Sequence, residues 1–299
     1  MEKRKFGNTG LAVSRLTFGC GAVGGLMTKG DARDQDRAIG WARDHGINFF
    51  DTAASYGNGV SEENLGRALQ GNSDGLVIST KVGLSNDDLS DVYGAITRSL
   101  DASLARLGLD HVDIFQLHNT LGRTDFRGTL TIDQIMDAVV PAFDKLRNSG
   151  KVRFLGFTAK GEADDVHKLV SCGVFHSAQV FYNLLVPSAG EPIAATYPSD
   201  DYKLLLETAK DHGVGAIGVR VLAGGALSGS VVRHPLGMRD VTPIGSETDY
   251  ATDVERGLAF MPLVKAGHAG SLIELAIRYV ISNPALPTTE IGIATLDEL

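Results

Sequence analysis

The stretch GINFFDTAASYGNGVSEENLGRAL, residues 46–69, contains the pattern that decides the fold. An apolar run is followed by a polar, Gly-rich turn and then by a segment with helical periodicity. The same order recurs along the chain, and most of the runs are continuously apolar, as in strands that are covered on both faces of a parallel sheet. Eight runs can be counted: VSRLTFGC (13–20), INFFDTA (47–53), LVISTKV (76–82), VDIFQLH (112–118), VRFLGFT (152–158), AQVFYN (178–183), VGAIGVRV (214–221) and EIGIA (290–294).

The segments between these runs carry helix signals. Five apolar residues recur at spacings of 4, 4, 4 and 3, which places them on one side of a helix. They are Val92, Ile96, Leu100, Leu104 and Leu107. Thr131 and Gln134 have the spacing of a capping box. Eight strands that alternate with helices predict an α/β fold, a single (β/α)8 TIM barrel domain over residues 1–299.

Three segments fall outside this alternation. Residues 3–16 read as two short extended pieces around a Gly-Asn-Thr-Gly turn, which predicts an N-terminal β-hairpin ahead of the barrel. Residues 223–270 form a long connection after the seventh strand, with one predicted helix near residues 253–264. The final TLDEL stops where the eighth helix would begin, so we expect that outer helix to be short or missing.

Composition excludes several classes of function. The chain has 28 Lys plus Arg against 36 Asp plus Glu, and no basic stripe, which argues against binding to nucleic acid. Its two cysteines have no metal-ligand spacing, so no metal site is expected. The basic start MEKRKFGNTG lacks a following apolar region, and no stretch approaches the roughly 18 apolar residues of a membrane span. We therefore expect a cytoplasmic protein without a membrane partner.

Polar residues end three consecutive predicted strands. Asp51 follows INFF, Lys81 follows LVIST and His118 follows DIFQL, while Tyr56 lies five residues after Asp51. Each residue alone has an ordinary structural explanation, as a turn cap, a surface group or a hydrogen-bonded core residue. Together they predict one site, because the carboxyl ends of barrel strands meet at the same mouth. A buried lysine needs a carboxylate partner, which makes Asp51 and Lys81 a natural pair.

These four side chains suggest proton transfer at a carbonyl or alcohol oxygen. A neighbouring Lys81 ammonium is expected to lower the pKa of Tyr56 and make it a usable general acid/base. His118 is expected to orient the same oxygen by a hydrogen bond. None of the four can carry a hydride, so a redox reaction here needs a bound cofactor. A Schiff-base lyase that uses Lys81 is a second reading of the same residues.

The sequence resembles the aldo-keto reductase family along nearly its whole length. The resemblance rests on RKFGNTGLAVSRLTFGCG, on the DTAASYG segment, on STKVG and FQLH, and on GKVRFLGFTA, QVFYNLL and GVGAIGVRVLAGGALSG. It implies that Asp51, Tyr56, Lys81 and His118 are a catalytic tetrad. Tyr56 would then exchange a proton with the substrate during hydride transfer from or to nicotinamide. It also implies an NAD(P)(H)-dependent oxidoreductase that interconverts a carbonyl compound and an alcohol, with the dinucleotide extended across the barrel mouth.

The resemblance also assigns cofactor-binding positions, several of which depart from the common family pattern. Thr158 and Ala159 stand where many members have Ser-Asn, and Val219 replaces a stacking aromatic. The implied cofactor-binding residues are Asp51, Thr158, Gln179, Val219, Arg220, Val221, Leu222, Gly225, Gly292, Ala294 and Glu298.

Cofactor choice stays open between NADP(H) and NAD(H). Members that prefer NADPH commonly place a basic residue after the eighth strand, whereas this chain has Gly292 and Glu298 there. A carboxylate would repel a 2′-phosphate and accept hydrogen bonds from a free ribose diol. Arg220 is an alternative source of positive charge for the 2′-phosphate.

Substrate and assembly are less defined. The loops after the fourth and seventh strands carry Arg123, Phe126, Arg127, Arg233, His234 and Tyr250. Their mixture of aromatic and polar groups favours a polar carbonyl compound or a sugar, and GFT resembles the branch with NAD-dependent sugar dehydrogenases. A cofactor-binding regulatory subunit on the same fold is the other alternative, because some relatives associate with membrane channels. The chain is expected to be a monomer or a homo-oligomer.

Overall fold

A computed structural model describes residues 1–122 and 128–299 and contains a closed barrel of eight parallel strands. The barrel strands, in spatial order and beginning from the first in the chain, are β3 (Leu16–Gly19), β4 (Phe49–Asp51), β5 (Val77–Val82), β6 (Val112–Leu117), β9 (Val152–Ala159), β10 (Ser177–Phe181), β11 (Gly215–Val219) and β12 (Thr288–Gly292). Two antiparallel strands precede the barrel, β1 (Lys3–Lys5) and β2 (Ala12–Ser14), and two short strands follow β6, β7 (Thr120–Leu121) and β8 (Thr129–Leu130). The predicted barrel and hairpin are both confirmed.

Helices connect the strands around the outside of the barrel. They are α1 (Leu26–Lys29), α2 (Ala32–Asp44), α3 (Val60–Leu69), α4 (Val92–Leu107), α5 (Ile132–Gln134), α6 (Val140–Arg147), α7 (Ala163–Ser171), α8 (Leu205–Asp211), α9 (Tyr250–Leu258), α10 (Met261–Lys265) and α11 (Leu272–Ser282). The five apolar residues predicted on one side of a helix are all buried in α4. The Thr131 and Gln134 side chains form the predicted capping box, because each accepts a hydrogen bond from the other residue's backbone N–H.

The first predicted strand, 13–20, divides into two elements of different sheets. Ser14 pairs with Lys3 in the antiparallel hairpin, whereas Leu16 pairs with Thr289 in the parallel barrel. The chain changes sheet at Arg15, a change that a continuous run of sequence does not reveal. The hairpin is joined to the barrel through Asn48, whose side chain accepts from Ser14 N at 2.7 Å and donates to Ala12 O at 2.9 Å.

The turn of the hairpin closes the amino-terminal end of the barrel with an aromatic ring. Phe6 is completely buried and meets Phe49, at the start of β4, edge-on at 5.8 Å. On the opposite side the ring lies against Gly215, where a β-carbon would come within 2.7 Å of it. Glycine at the start of β11 therefore makes room for the ring that seals this end.

The long connection after β11 contains more helix than predicted. Residues 223–270 contain a 3-10 segment (Ala223–Ser228), α9 and α10, where one helix near 253–264 was expected, and α11 follows beyond them. Residues 234–245 run over the carboxyl-terminal end of the barrel. Two contacts attach this segment to other loops: Gly237 lies against the carbonyl of Val23, and Asp200 N donates to Gly245 O at 2.7 Å. After β12, residues 293–299 contain turns and no helix. In the described parts of the chain, no helix has the length and apolar character needed to cross a bilayer.

Candidate active site

Strand ends bring the four predicted catalytic residues together at the carboxyl-terminal end of the barrel, called the mouth below. Asp51 is the last residue of β4, Lys81 lies near the end of β5, and His118 directly follows β6. Tyr56 begins a 3-10 turn (Tyr56–Gly59) that folds back over the end of β4. The Tyr56 and His118 rings meet edge-on with their centres 5.8 Å apart.

Lys81 is held by three oxygen atoms. Its ammonium donates to a carboxylate oxygen of Asp51, to the carbonyl of Thr52 at 2.7 Å and to the hydroxyl oxygen of Tyr56 at 3.3 Å. Both side chains of the Lys81–Asp51 pair are completely buried. Burial alone would lower the pKa of Lys81, but Asp51 reverses that effect and raises it above its ordinary value. A permanently charged amine is a poor nucleophile, so the arrangement does not favour a Schiff base on Lys81.

Asp51 is fixed by further donors inside the barrel. Ser79 Oγ and Gln116 Nε2 both donate to its Oδ1, the second at 3.0 Å. These contacts supply the hydrogen bonds that a buried carboxylate requires in addition to its ion pair. Asp51 therefore acts as an anchor that sets the position of Lys81, and through it that of Tyr56.

The pKa of Tyr56 differs from the sequence-based expectation. Burial raises it to about 12, and the lowering by the Lys81 ammonium does not compensate. The expectation was wrong because it considered the charge of Lys81 without the loss of solvent around the phenol. Tyr56 is consequently a neutral proton donor at physiological pH, which is the state that reduction of a carbonyl requires.

His118 is neutral as well. Burial, and then the charges of Lys81 and Lys160, lower its pKa to about 3. Ser55 Oγ lies 3.5 Å from His118 Nδ1. A neutral imidazole has one N–H to donate, and donation from Ser55 to Nδ1 leaves that proton on Nε2. His118 can then orient a carbonyl oxygen by a hydrogen bond without competing with Tyr56 as an acid.

Two residues predicted to hold the nicotinamide carboxamide lie side by side. Thr158 Oγ1 donates to Gln179 Oε1 at 3.2 Å, and both side chains are buried near the ends of β9 and β10. Gln179 Nε2 donates to Glu290 Oε2 at 2.9 Å. Hydroxyl and amide groups of this kind match the donors and acceptors of a carboxamide. Val219, at the end of β11, adds an apolar surface to the same region.

The segment after β11 has an unusual backbone. Arg220 adopts a left-handed conformation with φ 59°, and its carbonyl accepts from Asn183 Nδ2 at 2.9 Å. Val221 is buried and Leu222 is half-buried, and Gly224 and Gly225 again have positive φ. Within this turn Ala223 N donates to Arg220 O at 2.7 Å and Gly225 N donates to Leu222 O at 2.8 Å. Arg233 lies over this turn and donates to Gly224 O at 2.6 Å.

The three predicted residues after β12 lie at the edge of the mouth. Gly292 is exposed at the end of the strand, and the buried Ala294 donates its N–H to Glu298 Oε2 at 2.6 Å. The Glu298 side chain is exposed, and its other oxygen is available to a ligand. Arg220 instead faces a cavity whose lining comes from segments after β6, β9, β10 and β11.

Sequence reasoning missed Glu290, an acid inside the barrel. Its carboxyl accepts a hydrogen bond from Gln179 Nε2 and lies near the Asp51 carboxylate. Burial and the nearby Asp51 carboxylate raise its pKa to about 8. The sequence did contain a signal for Glu290, because an acidic residue begins the apolar run EIGIA. Side chains alternate between the two faces of a strand, and this alternation directs Glu290 into the barrel.

Lys160 was missed for a different reason, because it lies one residue beyond the end of β9. It lines the same cavity of about 460 Å³ as Arg220. Tyr250 lies beneath Arg233, with the guanidinium carbon 5.1 Å from the ring centre. The predicted substrate residues Arg123, Phe126 and Arg127 lie outside the described residues.

Comparisons with known proteins agree with this architecture. A model of the Aldo/keto reductase family matches residues 15–299. An L-galactose dehydrogenase of Arabidopsis thaliana is 37% identical over 161 residues, which cover 53% of this chain and only 48% of that enzyme. A putative voltage-gated potassium channel subunit beta of Schizosaccharomyces pombe is 28% identical over 99% of this chain and 85% of its own length. The solved structure of an aldo-keto reductase from Bacillus halodurans in its holo form is similar in fold, with a TM-score of 0.71, 23% identity, and coverage of 100% of this chain and 88% of that one.

Proposed function

The chain belongs to the aldo/keto reductase family, and from this premise we propose that it is an NAD(P)-dependent oxidoreductase that interconverts a carbonyl compound and an alcohol with Tyr56 as the general acid/base. The observation that carries the proposal is the position of the Tyr56 hydroxyl. It accepts a hydrogen bond from Lys81 at 3.3 Å, and the neutral His118 ring lies beside it. A substrate oxygen placed between Tyr56 and His118 would meet one proton donor and one orienting donor.

The proton balance follows from these groups. In reduction, a hydride supplied by the nicotinamide cofactor adds to the carbonyl carbon, and the Tyr56 hydroxyl gives its proton to the carbonyl oxygen. The developing alkoxide is a stronger base than a phenolate, so this transfer is favourable. The Lys81 ammonium stabilises the phenolate that is left, and water restores its proton. Oxidation would need the Tyr56 phenolate to take the alcohol proton, and the raised pKa of Tyr56 makes that phenolate scarce at neutral pH.

The residues at the mouth fit a nicotinamide dinucleotide. Thr158 and Gln179 match the carboxamide, and Val219 offers an apolar surface to the ring. Gly224 and Gly225 carry no side chain, which lets phosphate groups approach the backbone of this turn closely. The remaining predicted contacts are Asp51, the segment from Arg220 to Leu222, and Gly292, Ala294 and Glu298. We propose that these residues bind NADP(H) or NAD(H).

The substrate class that we propose is a polar aldehyde, ketone or aldose. The polar interior of the mouth, with Gln116, Thr158 and Gln179 buried there, supports a hydroxylated substrate more than an apolar one. Similarity to an L-galactose dehydrogenase supports a sugar as one candidate. We propose no nucleic-acid or membrane partner.

Turnover with both nucleotides tests the proposal. Purified protein is assayed with NADH or NADPH against a panel of aldehydes and ketones, and with NAD⁺ or NADP⁺ against aldoses. Tyr56→Phe should lower kcat/KM by about 100- to 10,000-fold, because it removes the proton donor. It should leave nucleotide binding, followed by fluorescence titration, close to that of the unmodified protein.

Tyr93→Phe is the matched control, because Tyr93 lies on the outer helix α4, where the Lys145 ammonium lies over its ring and no contact among the described residues joins it to the tetrad. It removes one hydroxyl group and should retain turnover. Full activity in Tyr56→Phe would refute the assigned role of Tyr56. Failure of the protein to bind either nucleotide would overturn the assignment of the cofactor site.

A cofactor-binding regulatory subunit is the second candidate, because similarity to the putative channel subunit extends over 99% of this chain. The two candidates differ in turnover. A regulatory subunit would bind the nucleotide and exchange its redox state slowly, without preference for a substrate. Multiple turnover of a defined carbonyl compound or sugar would favour the enzyme.

A further inference from the structure

We propose that Lys160 and Arg220 form an anion-binding subsite beside the tetrad, and that the substrate carries a carboxylate or a phosphate at a short distance from its carbonyl group. This inference rests on the proposed function and adds the chemical class of the substrate. It uses a cavity and a cation, Lys160, to which neither the proton chemistry nor the family resemblance gives a role, and it gives Arg220, which the resemblance assigns to the cofactor, a role toward the substrate.

Both cations enter the cavity from strand ends. Lys160 directly follows β9 and Arg220 directly follows β11, and these two strands flank β10 in the barrel. The cavity of about 460 Å³ that they share is within the range of small-molecule sites. Its position after β6, β9, β10 and β11 places it on the side of the mouth where His118 follows β6.

The two positive charges are not neutralised within the described part of the chain. Both side chains are half-buried, and none of the ion pairs within 4.0 Å among these residues includes Lys160 or Arg220. Burial and the charge of Arg220 lower the pKa of Lys160. Two partly desolvated cations that repel each other have unsatisfied electrostatic potential, which an anionic group would neutralise.

The carboxylates near these cations do not perform this function. Glu290 interacts with Arg220, but burial and Asp51 raise its pKa to about 8, so that it is mostly neutral at physiological pH. Asp200 and Asp240 contribute to the lining of the cavity, but both residues are exposed. The charges that act on Asp200 come from Glu247 and Glu162, which together with burial raise its pKa. The two aspartates therefore form the outer rim, and the cations lie deeper.

The Arg220 guanidinium is held in position. Its left-handed backbone is kept by the hydrogen bond from Asn183, and Nη1 donates to Thr242 O at 3.3 Å. Nη1 also lies over Gly224, where a β-carbon would come within 2.9 Å of it. A disfavoured backbone conformation in a non-glycine residue persists where its surroundings enforce it, and such positions cluster at functional sites.

The cavity adjoins the tetrad. Thr120, two residues after His118, lines it together with Lys160 and Arg220, and the charge of Lys160 contributes to the lowered pKa of His118. A substrate whose carbonyl oxygen meets Tyr56 and His118 could thus place an anionic group between Lys160 and Arg220. A short carbon chain would join the two ends.

Matched pairs of carbonyl substrates test the subsite. Butanal is compared with 4-oxobutanoate, and glyceraldehyde with glyceraldehyde 3-phosphate, so that the carboxylate and the phosphate are judged separately. We expect a higher kcat/KM for the anionic member of at least one pair. Lys160→Met and Arg220→Met should each lower the ratio of anionic to neutral kcat/KM by about 10- to 100-fold, because each removes a charge-assisted hydrogen bond.

Lys210→Met is the matched control, since it removes one exposed positive charge from α8 on the outside of the barrel. It should leave the ratio unchanged. Equal ratios in the unmodified protein and both variants would overturn the subsite. It would also be overturned if the variants weakened nucleotide binding as strongly as turnover and affected neutral and anionic substrates alike, because the cations would then bind the cofactor.

A binding measurement separates this inference from the proposed function. If no carbonyl compound is turned over, the proposed function fails, and the subsite is judged by thermal unfolding with succinate. A rise in Tm that is lost in both Met variants but not in Lys210→Met would support the subsite. No rise, or an equal rise in all variants, would overturn it.

Discussion

The ammonium nitrogen of Lys81 lies 3.3 Å from the hydroxyl oxygen of Tyr56 and 4.7 Å from the centre of its ring. An ammonium group can only donate, so the phenol oxygen accepts this hydrogen bond. The proton of Tyr56 is therefore not used in its contact with Lys81 and remains available to a substrate. Lys81 thus determines the direction of proton transfer as well as the stability of the phenolate.

The Lys81–Asp51 pair should show strong coupling in a double-mutant cycle. Lys81→Met leaves the Asp51 carboxylate buried without its counter-charge and should lower the free energy of unfolding by about 3–5 kcal/mol. Lys81→Met combined with Asp51→Asn should cost less than the sum of the single changes. Urea unfolding measures each value. Lys151→Met, which breaks an exposed pair with Asp101, should cost at most about 1 kcal/mol, and additive single changes at Lys81 and Asp51 would contradict the prediction.

Glu290 should make stability fall as pH rises. Its pKa is 4.5 in the unfolded chain and about 8 in the folded protein, where it faces Asp51, Lys81 and Arg220. Between these values the folded state binds the extra proton, so the free energy of unfolding decreases with pH by up to about 1.4 kcal/mol per unit.

Glu290→Gln removes this dependence and should therefore stabilise the protein more at pH 9 than at pH 5, as measured by thermal unfolding. The exposed Glu63→Gln on α3 is the control and should give no such difference. A stability difference for Glu290→Gln that does not change with pH would show that Glu290 titrates as an ordinary carboxyl group.

His118 should remain neutral throughout the physiological range. Its pKa of about 3 predicts no change in its ring NMR signals between pH 5 and pH 8, with His118→Gln used to assign them. The unfolded state binds more protons between pH 3 and pH 6.5, so this residue destabilises the fold as pH falls through that interval. A titration midpoint near 6.5 would mean that the mouth is more hydrated than the contacts of His118 indicate.

Glu298 should influence the choice between the two nucleotides. Glu298→Lys places a cation where a 2′-phosphate would be bound and should improve the Kd for NADPH relative to NADH by about 10-fold or more. Glu298→Gln is the matched control, because it keeps an acceptor for Ala294 N and removes the charge. Fluorescence titration gives both constants. An unchanged NADPH to NADH ratio in Glu298→Lys would place the adenosine end elsewhere.

The tetrad could be predicted because a parallel barrel collects its strand ends at one mouth. Asp51, Lys81 and His118 each end an apolar run, and topology alone brings them together. The barrel itself could be predicted because eight apolar runs alternate with helical segments along the chain. The change of sheet at Arg15 could not be predicted, because a continuous run of strand-forming residues does not show where the chain passes from one sheet to another.

The electrostatics of the site could not be read from the sequence. Whether burial or Lys81 dominates the pKa of Tyr56 depends on how closely the mouth segments cover the phenol, a property of tertiary packing. Glu290 meets Gln179 inside the barrel, and Lys160 shares a cavity at the mouth with Arg220. Both partners are distant in sequence. A polar residue at the end of a predicted strand can be placed at the mouth from the sequence. The pKa values of the groups there depend on contacts that exist only in the folded barrel.

The Phe6 ring closes one end of a barrel whose interior is already filled by buried side chains. Its contacts with Phe49 and Gly215 cover the amino-terminal end, while all candidate chemistry lies at the mouth. The two ends of the barrel therefore have separate tasks. Substitutions at Phe6 or Gly215 should change the free energy of unfolding, whereas substitutions at the mouth should change turnover.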